Sequence, residues 1–277
     1  MSRERSIVFF MAMTLTDHRL RIHGKAAALP WRANPSTRRE TKPDHFFKMD
    51  ITRTKHGLRL SQHGVVISEL RTSAGPTHSV ADVLAALISV LRPEGRIGVL
   101  GFAGGGMQAP LCALGVATVI DAVDLDRAAY ELFCEHCPEW IPRVNWQQAD
   151  AVEWLCAQPA DFDVLVEDLS VPGDEDVFKP DITWEVLPQL IHDRLVPDGI
   201  AIFNLMAPPS GIWIRELEWM AALWETARIV SFDDFTNQIL VTGASLPSAR
   251  RLGFMLRSAL RQIHSHQAER IRLRAMR

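Results

Sequence analysis

Residues 97–110 read IGVLGFAGGGMQAP, a short apolar run that leads directly into a glycine-rich turn. The run predicts a buried strand over 97–101, and glycine-rich turns between a strand and a helix let the backbone approach a ligand closely. The strict dinucleotide spacing G-x-G-x-x-G is not met, because the corresponding positions are Gly101, Ala103 and Gly106. No Lys-Ser/Thr pair follows, so the turn is not a phosphate-binding P-loop. By itself it fits either ligand binding or close backbone packing.

The bulk composition is that of an ordinary soluble globular protein. The chain has 277 residues, 47% of them apolar and 23% charged, enough for one sizeable core with a small appendage. The longest N-terminal apolar run, residues 7–13, is too short to span a bilayer and lacks a convincing cleavage site, so we expect neither a membrane segment nor a signal peptide. Four cysteines are too few for a disulfide scaffold, which favours a reducing, cytoplasmic location.

The small net charge of −3 hides an uneven distribution. Residues 1–48 carry +6 and residues 250–277 carry +7, which leaves −16 on residues 49–249. A central region this acidic is a poor nucleic-acid binder and a suitable host for cationic ligands. General solubility is the simpler explanation of the same charge.

The chain divides into four predicted segments. Residues 1–48 lack periodicity and predict a basic, poorly ordered extension, with Met49 as an alternative start of the protein. Residues 49–76 contain a β-hairpin over 57–70 with its turn at Gln62-His63-Gly64. Residues 77–246 form the main domain. Residues 247–277 predict a basic amphipathic C-terminal helix, which we expect to fold against the acidic core or against a second copy of the chain in a homodimer.

The main domain alternates strands and helices, which predicts an α/β, doubly wound, mostly parallel Rossmann-like sheet covered on both faces. A helix is predicted over 77–92. The candidate strands are 97–101, 118–123, 143–148, 163–166, 200–204 and 237–242. The later candidate helices are 126–137, 150–157, 182–195 and 212–224.

Acidic residues follow the next three strands where each one ends. Asp124 lies 23 residues after Gly101, where an acid typically accepts ribose hydroxyls, and Asp150 and Asp168 end the third and fourth strands. Asp126 is predicted to cap the following helix, and helix or turn capping also remains open for Asp150 and Asp168. Strand alternation points Glu167 away from Asp168. A bound nucleoside without phosphates, together with a cationic group near Asp168, accounts for the residues at all four strand ends. A dinucleotide accounts only for the glycine turn and Asp124.

These stretches together resemble the spermidine synthase-like branch of the class I S-adenosylmethionine-dependent methyltransferase fold, over roughly residues 57 to 243. The motifs that carry the resemblance are 99-VLGFAGGGM, 123-VDLD, 150-DAVEWL, 162-FDVLVEDLSVP, Phe178 and 197-PDGIAIFN. The resemblance implies a last antiparallel strand at 237–242 and S-adenosylmethionine or its decarboxylated form as co-substrate. It implies Asp124 on the ribose, Asp150 on the adenine, and Asp168 as the catalytic residue beside the reacting amine. The donor-binding positions it implies are Gly101, Ala103, Gly104, Gly105, Gly106, Asp124, Leu125, Asp150 and Ala151.

The sequence departs from that family on the polyamine side. An Asp of the family's glycine loop is Gly104 here, and its second substrate-binding Asp is Val171. The only tyrosine is Tyr130, although the family lines its polyamine groove with tyrosines; His78 or Ser79 occupies the approximate region of one. The acids at 174–176 are interpreted as a solvated loop rather than as replacement charge.

The resemblance favours a transferase that moves an aminopropyl group to a small-molecule amine, with Asp168 orienting the amine and accepting its proton. A small-molecule methyltransferase and a non-catalytic nucleoside-binding protein remain alternatives. No metal is expected, because Cys134 and Cys137 form one C-x-x-C without a second pair, and their thiols are predicted to pack or face solvent.

Overall fold

The computed structural model of the protein describes residues 49–172 and 176–276. The basic extension predicted for residues 1–48 lies outside the described residues, as do positions 174 and 175 of the acidic loop. None of the described helices is long and apolar enough to cross a membrane.

The described chain begins with a small antiparallel sheet of β1 (Asp50–Thr54), β2 (Gly57–Gln62) and β3 (Val65–Arg71). The predicted hairpin corresponds to β2 and β3, and its turn places His63 and Gly64 at positive φ. One face of the hairpin is buried through Leu58, Leu60 and Leu70. Strand β1 was not predicted.

The central sheet has eight strands in the order β13-β11-β12-β10-β7-β4-β5-β6. Five of them, β4 to β7 and β10, run parallel, and β12, β11 and β13 follow antiparallel at one end. The strands after the hairpin are β4 (Ile97–Leu100), β5 (Ile120–Asp124), β6 (Val144–Gln148), β7 (Phe162–Glu167), β8 (Val171–Pro172), β9 (Val177–Phe178), β10 (Leu195–Leu205), β11 (Thr226–Phe232), β12 (Gln238–Gly243) and β13 (Ile271–Ala275). The predicted parallel fold with an antiparallel strand near 237–242 is confirmed, whereas β11 and β13 were not predicted.

Eight α-helices lie among the described residues. They are α1 (Val80–Leu91), α2 (Gln108–Ala113), α3 (Arg127–His136), α4 (Ala151–Cys156), α5 (Asp181–Glu185), α6 (Leu187–Asp193), α7 (Trp213–Ala221) and α8 (Ala249–Gln262). The single helix predicted over 182–195 is wrong in one respect, since it is divided into α5 and α6. Pro188 has no backbone N–H and cannot lie in the interior of a continuous helix, so the chain restarts at Leu187.

Alternating side chains of the strands build two separate cores, one on each face of the sheet. Val99, Val164 and Ile202 pack with α1, α3, α8 and the N-terminal hairpin. Leu165 and Phe203 belong to the other core, with α4 to α7. Burial of apolar side chains on both faces is the physical basis of the doubly wound arrangement.

The C-terminal segment packs back onto the rest of the described chain. The predicted helix is present as α8, but the prediction of helix alone to residue 277 is wrong, because a short 3₁₀ helix (His266–Glu269) and β13 follow. Strand β13 pairs with β11, and Arg270 and Arg272 form ion pairs with Asp234 and Asp233. The predicted contact of this basic segment with acidic residues is therefore confirmed.

Candidate active site

The strand order places a topological switch at the centre of the sheet. From β4 the chain moves outward to β5 and β6, and then returns to the other side of β4 to form β7. Ligands of doubly wound sheets bind beyond the carboxyl ends of the strands at such a switch. The turn beginning at Gly101 follows β4, and Asp168 follows β7, so these two stretches meet at the switch.

The glycine-rich turn is held against the backbone of Asp168. Gly101 has φ of 88°, and a Cβ built there would lie 2.6 Å from the carbonyl oxygen of Asp168. A side chain at 101 would therefore be strained and would also push the Asp168 backbone away. Ala103 adopts φ of 45° without being glycine, a strained conformation of the kind that clusters at ligand-binding turns. Gly105 and Gly106 complete the turn before α2.

Asp124 anchors this turn. One carboxylate oxygen accepts a hydrogen bond from the Ala103 N–H at 2.7 Å, and the other accepts from the Asp126 N–H at 2.9 Å. Burial raises the pKa of Asp124, although these backbone N–H groups oppose the shift. Each oxygen retains a second lone pair that could accept a hydrogen bond from a ligand hydroxyl. Asp126 caps α3 through the N–H groups of Ala128 and Ala129, as predicted.

Asp150 caps α4, the simpler of the two roles left open for it. Its Oδ1 accepts from the N–H groups of Val152 and Glu153 at 2.8 and 3.2 Å. Its Oδ2 accepts no hydrogen bond from the described part of the chain, so capping leaves one oxygen available for a ligand. Ala151 is buried at the first position of α4, and Leu125 beyond β5 is half exposed.

Asp168 is partly buried and hydrogen-bonded to a residue that the sequence did not single out. Its Oδ1 accepts from Nδ2 of Asn204 at 2.6 Å, and the side-chain oxygen of Asn204 accepts in turn from Nδ2 of Asn237 at 2.9 Å. Burial raises the pKa of Asp168, and the carboxylate of Asp124 adds to the increase. Lys179 and the Asn204 amide oppose the shift. A carboxylate that holds protons more tightly than usual is suited to accept one from a substrate.

Glu167 points away from Asp168, as strand alternation predicted. It is completely buried and forms an ion pair with the buried Lys179, with N–O distances of 3.0 and 3.2 Å. Thr183 and the backbone N–H of Leu169 donate further hydrogen bonds to it. This cluster fastens the segment after β7 to α5, and so fixes the backbone from which Asp168 extends.

Comparisons with known proteins identify the fold. No protein-family model matches the sequence, and no curated protein matches it. Among solved structures, a probable spermidine synthase from Corynebacterium glutamicum is 17% identical, with a TM-score of 0.63 over 82% of this chain and 87% of that one. Human methyltransferase-like protein 13, solved with SAH, is 19% identical, with a TM-score of 0.52 over 68% and 91%. A spermidine synthase solved with the transition-state analogue AdoDATO is 16% identical, with a TM-score of 0.56 over 72% and 71%.

The chain has the class I methyltransferase fold, which the solved spermidine synthases share. The structure shows the surroundings of two positions at which the sequence departs from spermidine synthases, Gly104 and Val171. A Cβ at Gly104 would lie 2.4 Å from Cδ1 of Leu70 and 2.8 Å from Cδ1 of Leu60, so a side chain at this position would require both leucines of the hairpin to move. Val171 is half-buried in β8 and pairs with Phe178 of β9.

The other side chains considered from the sequence have structural roles. The ring of Tyr130 lies parallel to Trp146, with centroids 4.1 Å apart. Ser79 caps α1, and His78 stacks on His266 of the C-terminal segment. Burial raises the pKa of the Cys137 thiol to about 11, and the thiol donates to the backbone oxygen of Arg71 in the hairpin.

Asn204, Asn237 and Lys179 are the candidate site residues that sequence reasoning missed. Asn204 ends the stretch IAIFN, so the strand-end rule that selected Asp124 and Asp168 could also have selected it. Asn237 precedes an antiparallel strand, and Lys179 lies between two short elements, where no spacing rule applies.

Proposed function

We propose that the protein is a transferase that moves an alkyl group from an adenosyl-sulfonium donor to a small nucleophile, in first place an aminopropyl group to an amine. The observation that carries this proposal is the position of Asp168. It lies at the topological switch, its backbone contacts the glycine turn, and Asn204 orients one carboxylate oxygen. The second oxygen accepts no hydrogen bond within the described residues and would face the incoming nucleophile.

The donor is proposed to lie along the ends of β4, β5 and β6. Asp124 would accept the ribose hydroxyls, since each of its oxygens has a free lone pair, and Oδ2 of Asp150 would accept from the adenine amino group. The backbone of residues 101–106 would lie against the donor, with Leu125 and Ala151 beside the adenine. Both carboxylates are held by backbone N–H groups, which reduces the cost of ordering them on binding.

The proposed chemistry needs little covalent participation from the protein. The nucleophile attacks the carbon attached to the sulfonium, the carbon–sulfur bond breaks with its electron pair going to sulfur, and the new carbon–nitrogen bond forms. The amine loses one proton to Asp168, which returns it to water. The protein contributes alignment of the two reactants and acceptance of that proton.

Methyl transfer from S-adenosylmethionine is the second candidate. Gly104 favours it, because the carboxylate that holds the aminopropyl amine in spermidine synthases is missing here, and a side chain at this position would require Leu60 and Leu70 to move. The family's second substrate-binding Asp is replaced by Val171 in this chain, so that carboxylate is missing as well. Both candidates use small molecules, and the four cysteines, all free, are in keeping with a reducing cytosol.

Calorimetric titration with S-adenosylmethionine, its decarboxylated form and methylthioadenosine tests the proposal. Preference for the decarboxylated donor supports aminopropyl transfer, and preference for the carboxylated donor selects methyl transfer instead. Binding of none of the three would rule out both activities.

Two matched variants separate donor binding from turnover. Asp124→Asn should weaken the binding of every donor. Asp168→Asn should retain donor binding and lose turnover on a panel of amines. Donor binding without turnover in the wild type, unchanged by Asp168→Asn, would indicate a silent nucleoside-binding protein.

A further inference from the structure

A second cleft lies beside the N-terminal sheet, lined by residues of β1 to β3, by the loop before α1, and by Phe235. Its volume is about 520 Å³, which falls within the range of small-molecule sites. The cleft adjoins the glycine turn through β3, because the Ser68 hydroxyl and the Glu69 backbone both lie beside Gly106, and Glu69 also lines the cleft.

The cleft is basic although the surrounding region is acidic. Lys55, Arg59 and Arg71 line it, and they are three of the twelve Lys and Arg residues between positions 49 and 249, a region of net charge −16. Glu69 is the one carboxylate among its lining residues. That carboxylate is already paired with Arg59, whose guanidinium lies 2.6 to 2.8 Å from it. The positive charge of Lys55 and Arg71 is therefore not balanced by acids of the cleft wall.

Arg71 is the most firmly held of these cations. Its backbone oxygen accepts hydrogen bonds from the indole of Trp140 at 2.8 Å and from the thiol of Cys137. Its guanidinium donates to the carbonyl oxygen of Pro76, which holds the side chain against the loop before α1. Its Nε is buried and has no hydrogen-bond acceptor within the described residues. Because this atom is not exposed, a bound anion would contact the terminal guanidinium nitrogens instead.

Apolar side chains also line the cleft. Val66 and Phe235 line the same cleft, and Val66 is 44% exposed. A guanidinium beside a flexible ammonium matches an anionic oxygen group, and arginine presents its donors in a fork that fits carboxylate and phosphate. The cleft thus offers a place for a charged group next to a place for an apolar one.

We propose that this cleft binds a small molecule that carries a carboxylate or phosphate group, with the anion on Arg71 and Lys55 and the apolar part against Val66 and Phe235. None of the lining residues is among those proposed to hold the donor, and anion binding does not depend on alkyl transfer.

Titration calorimetry at fixed ionic strength, with chloride as the balancing salt, tests the proposal with two probes, inorganic phosphate and citrate. The wild type should bind one or both at a single site, and the stronger probe distinguishes a phosphate from a carboxylate ligand. Arg71→Gln should weaken binding at least tenfold and Lys55→Gln several-fold. The matched control is Arg53→Gln, an exposed arginine on β1 outside the cleft lining, which should leave the affinity unchanged.

Two further results decide the outcome. Lys55 is exposed, so Lys55→Gln should fold normally and keeps the test valid if Arg71→Gln is unstable. The imidazole signals of His56 and His78, which also line the cleft, should shift in NMR spectra when the anion is added. No binding by the wild type, or equal binding by all three variants, would overturn the proposal. Neither titration contains a nucleoside, so the result is independent of the proposed transferase activity.

Discussion

Nδ2 of Asn204 lies 2.6 Å from Oδ1 of Asp168, across the boundary between β7 and β10. Asn237 donates to the other end of the Asn204 amide, so the amide can present only its N–H to the carboxylate. A hydrogen bond to a charged acceptor is among the stronger side-chain interactions and fixes the direction of the carboxylate. The three residues form one line from β12 to the end of β7, and Asp168 is its terminal acceptor.

Replacing Asp168 with Asn should separate activity from stability. Turnover should fall by about 10²–10⁴-fold, because the proton acceptor is lost while the shape is kept. The free energy of unfolding near neutral pH should stay the same or rise, since burial raises the pKa of Asp168 and the folded protein therefore holds its ionised form at a cost. Turnover and thermal unfolding are the measurements. Glu185→Gln, at an exposed carboxylate at the end of α5, is the control and should change neither.

Asn204 should control the pH at which Asp168 becomes active. Asn204→Asp places a second carboxylate next to Asp168, and like charges raise the pKa further, so the acidic limb of the kcat profile should move to higher pH. Asn204→Ala removes a donor that lowers this pKa, and should shift the limb in the same direction by less, with kcat reduced about tenfold.

Asn145→Ala is the matched control for this pair. Asn145 donates to Asp121 at 3.0 Å near the amino ends of β5 and β6, whereas the candidate site lies at the carboxyl ends of the strands. Its loss should leave the pH profile unchanged. A profile for Asn204→Asp that overlays the wild type would show that Asp168 does not titrate in the reaction.

The sequence predicted the elements whose signals are local. Apolar runs that end in Gly101, Asp124 and Asp168 identified β4, β5 and β7, because a strand buried on both faces must be apolar until it reaches the site edge. The Asp126 cap was also predictable, since capping depends on neighbours two and three residues away.

The parts that were missed depend on contacts distant in sequence. Asn204 and Asn237 meet only because β10 and β12 pair antiparallel, with Asn204 opposite Ile239. The partner of Glu167 is Lys179, twelve residues away across two short strands, and no helical or strand period connects them. Strand β13 forms because β11 has a free edge, a property of the assembled sheet rather than of residues 271–275.

Gly101→Ala should disturb both stability and the reaction centre. The added Cβ meets the Asp168 carbonyl oxygen at 2.6 Å in addition to the unfavourable positive φ. Gly115→Ala is the matched control, because φ is 78° there and nothing lies within 4 Å of the new Cβ. Gly115→Ala should cost about 1 kcal/mol of unfolding free energy and leave activity intact. Gly101→Ala should cost more, about 2–3 kcal/mol, and lower turnover. Equal effects of the two substitutions on chemical denaturation and on rate would show that the close approach is unimportant.

The buried Glu167–Lys179 pair gives the largest expected change in stability. Lys179→Met leaves a buried carboxylate without its cation, and breaking such a pair costs about 3–5 kcal/mol. Burial already raises the pKa of Glu167, and loss of Lys179 raises it further, so the folded variant binds a proton that the unfolded chain releases. Stability of the variant should therefore fall as pH rises above the ordinary Glu range, and the loss should be smallest in acid.

Urea denaturation of Lys179→Met at pH 5 and pH 8 measures this dependence. The double variant Lys179→Met with Glu167→Gln should recover part of the loss at pH 8, because it no longer buries a charge. Arg127→Met is the control. It breaks an exposed ion pair on α3, in which Nε of Arg127 lies 2.9 Å from Oε1 of Glu131, and should change the free energy of unfolding by less than about 0.5 kcal/mol. A pH-independent loss in Lys179→Met, or one equal to that of Arg127→Met, would mean that the pair does not hold the segment beyond β7 in place.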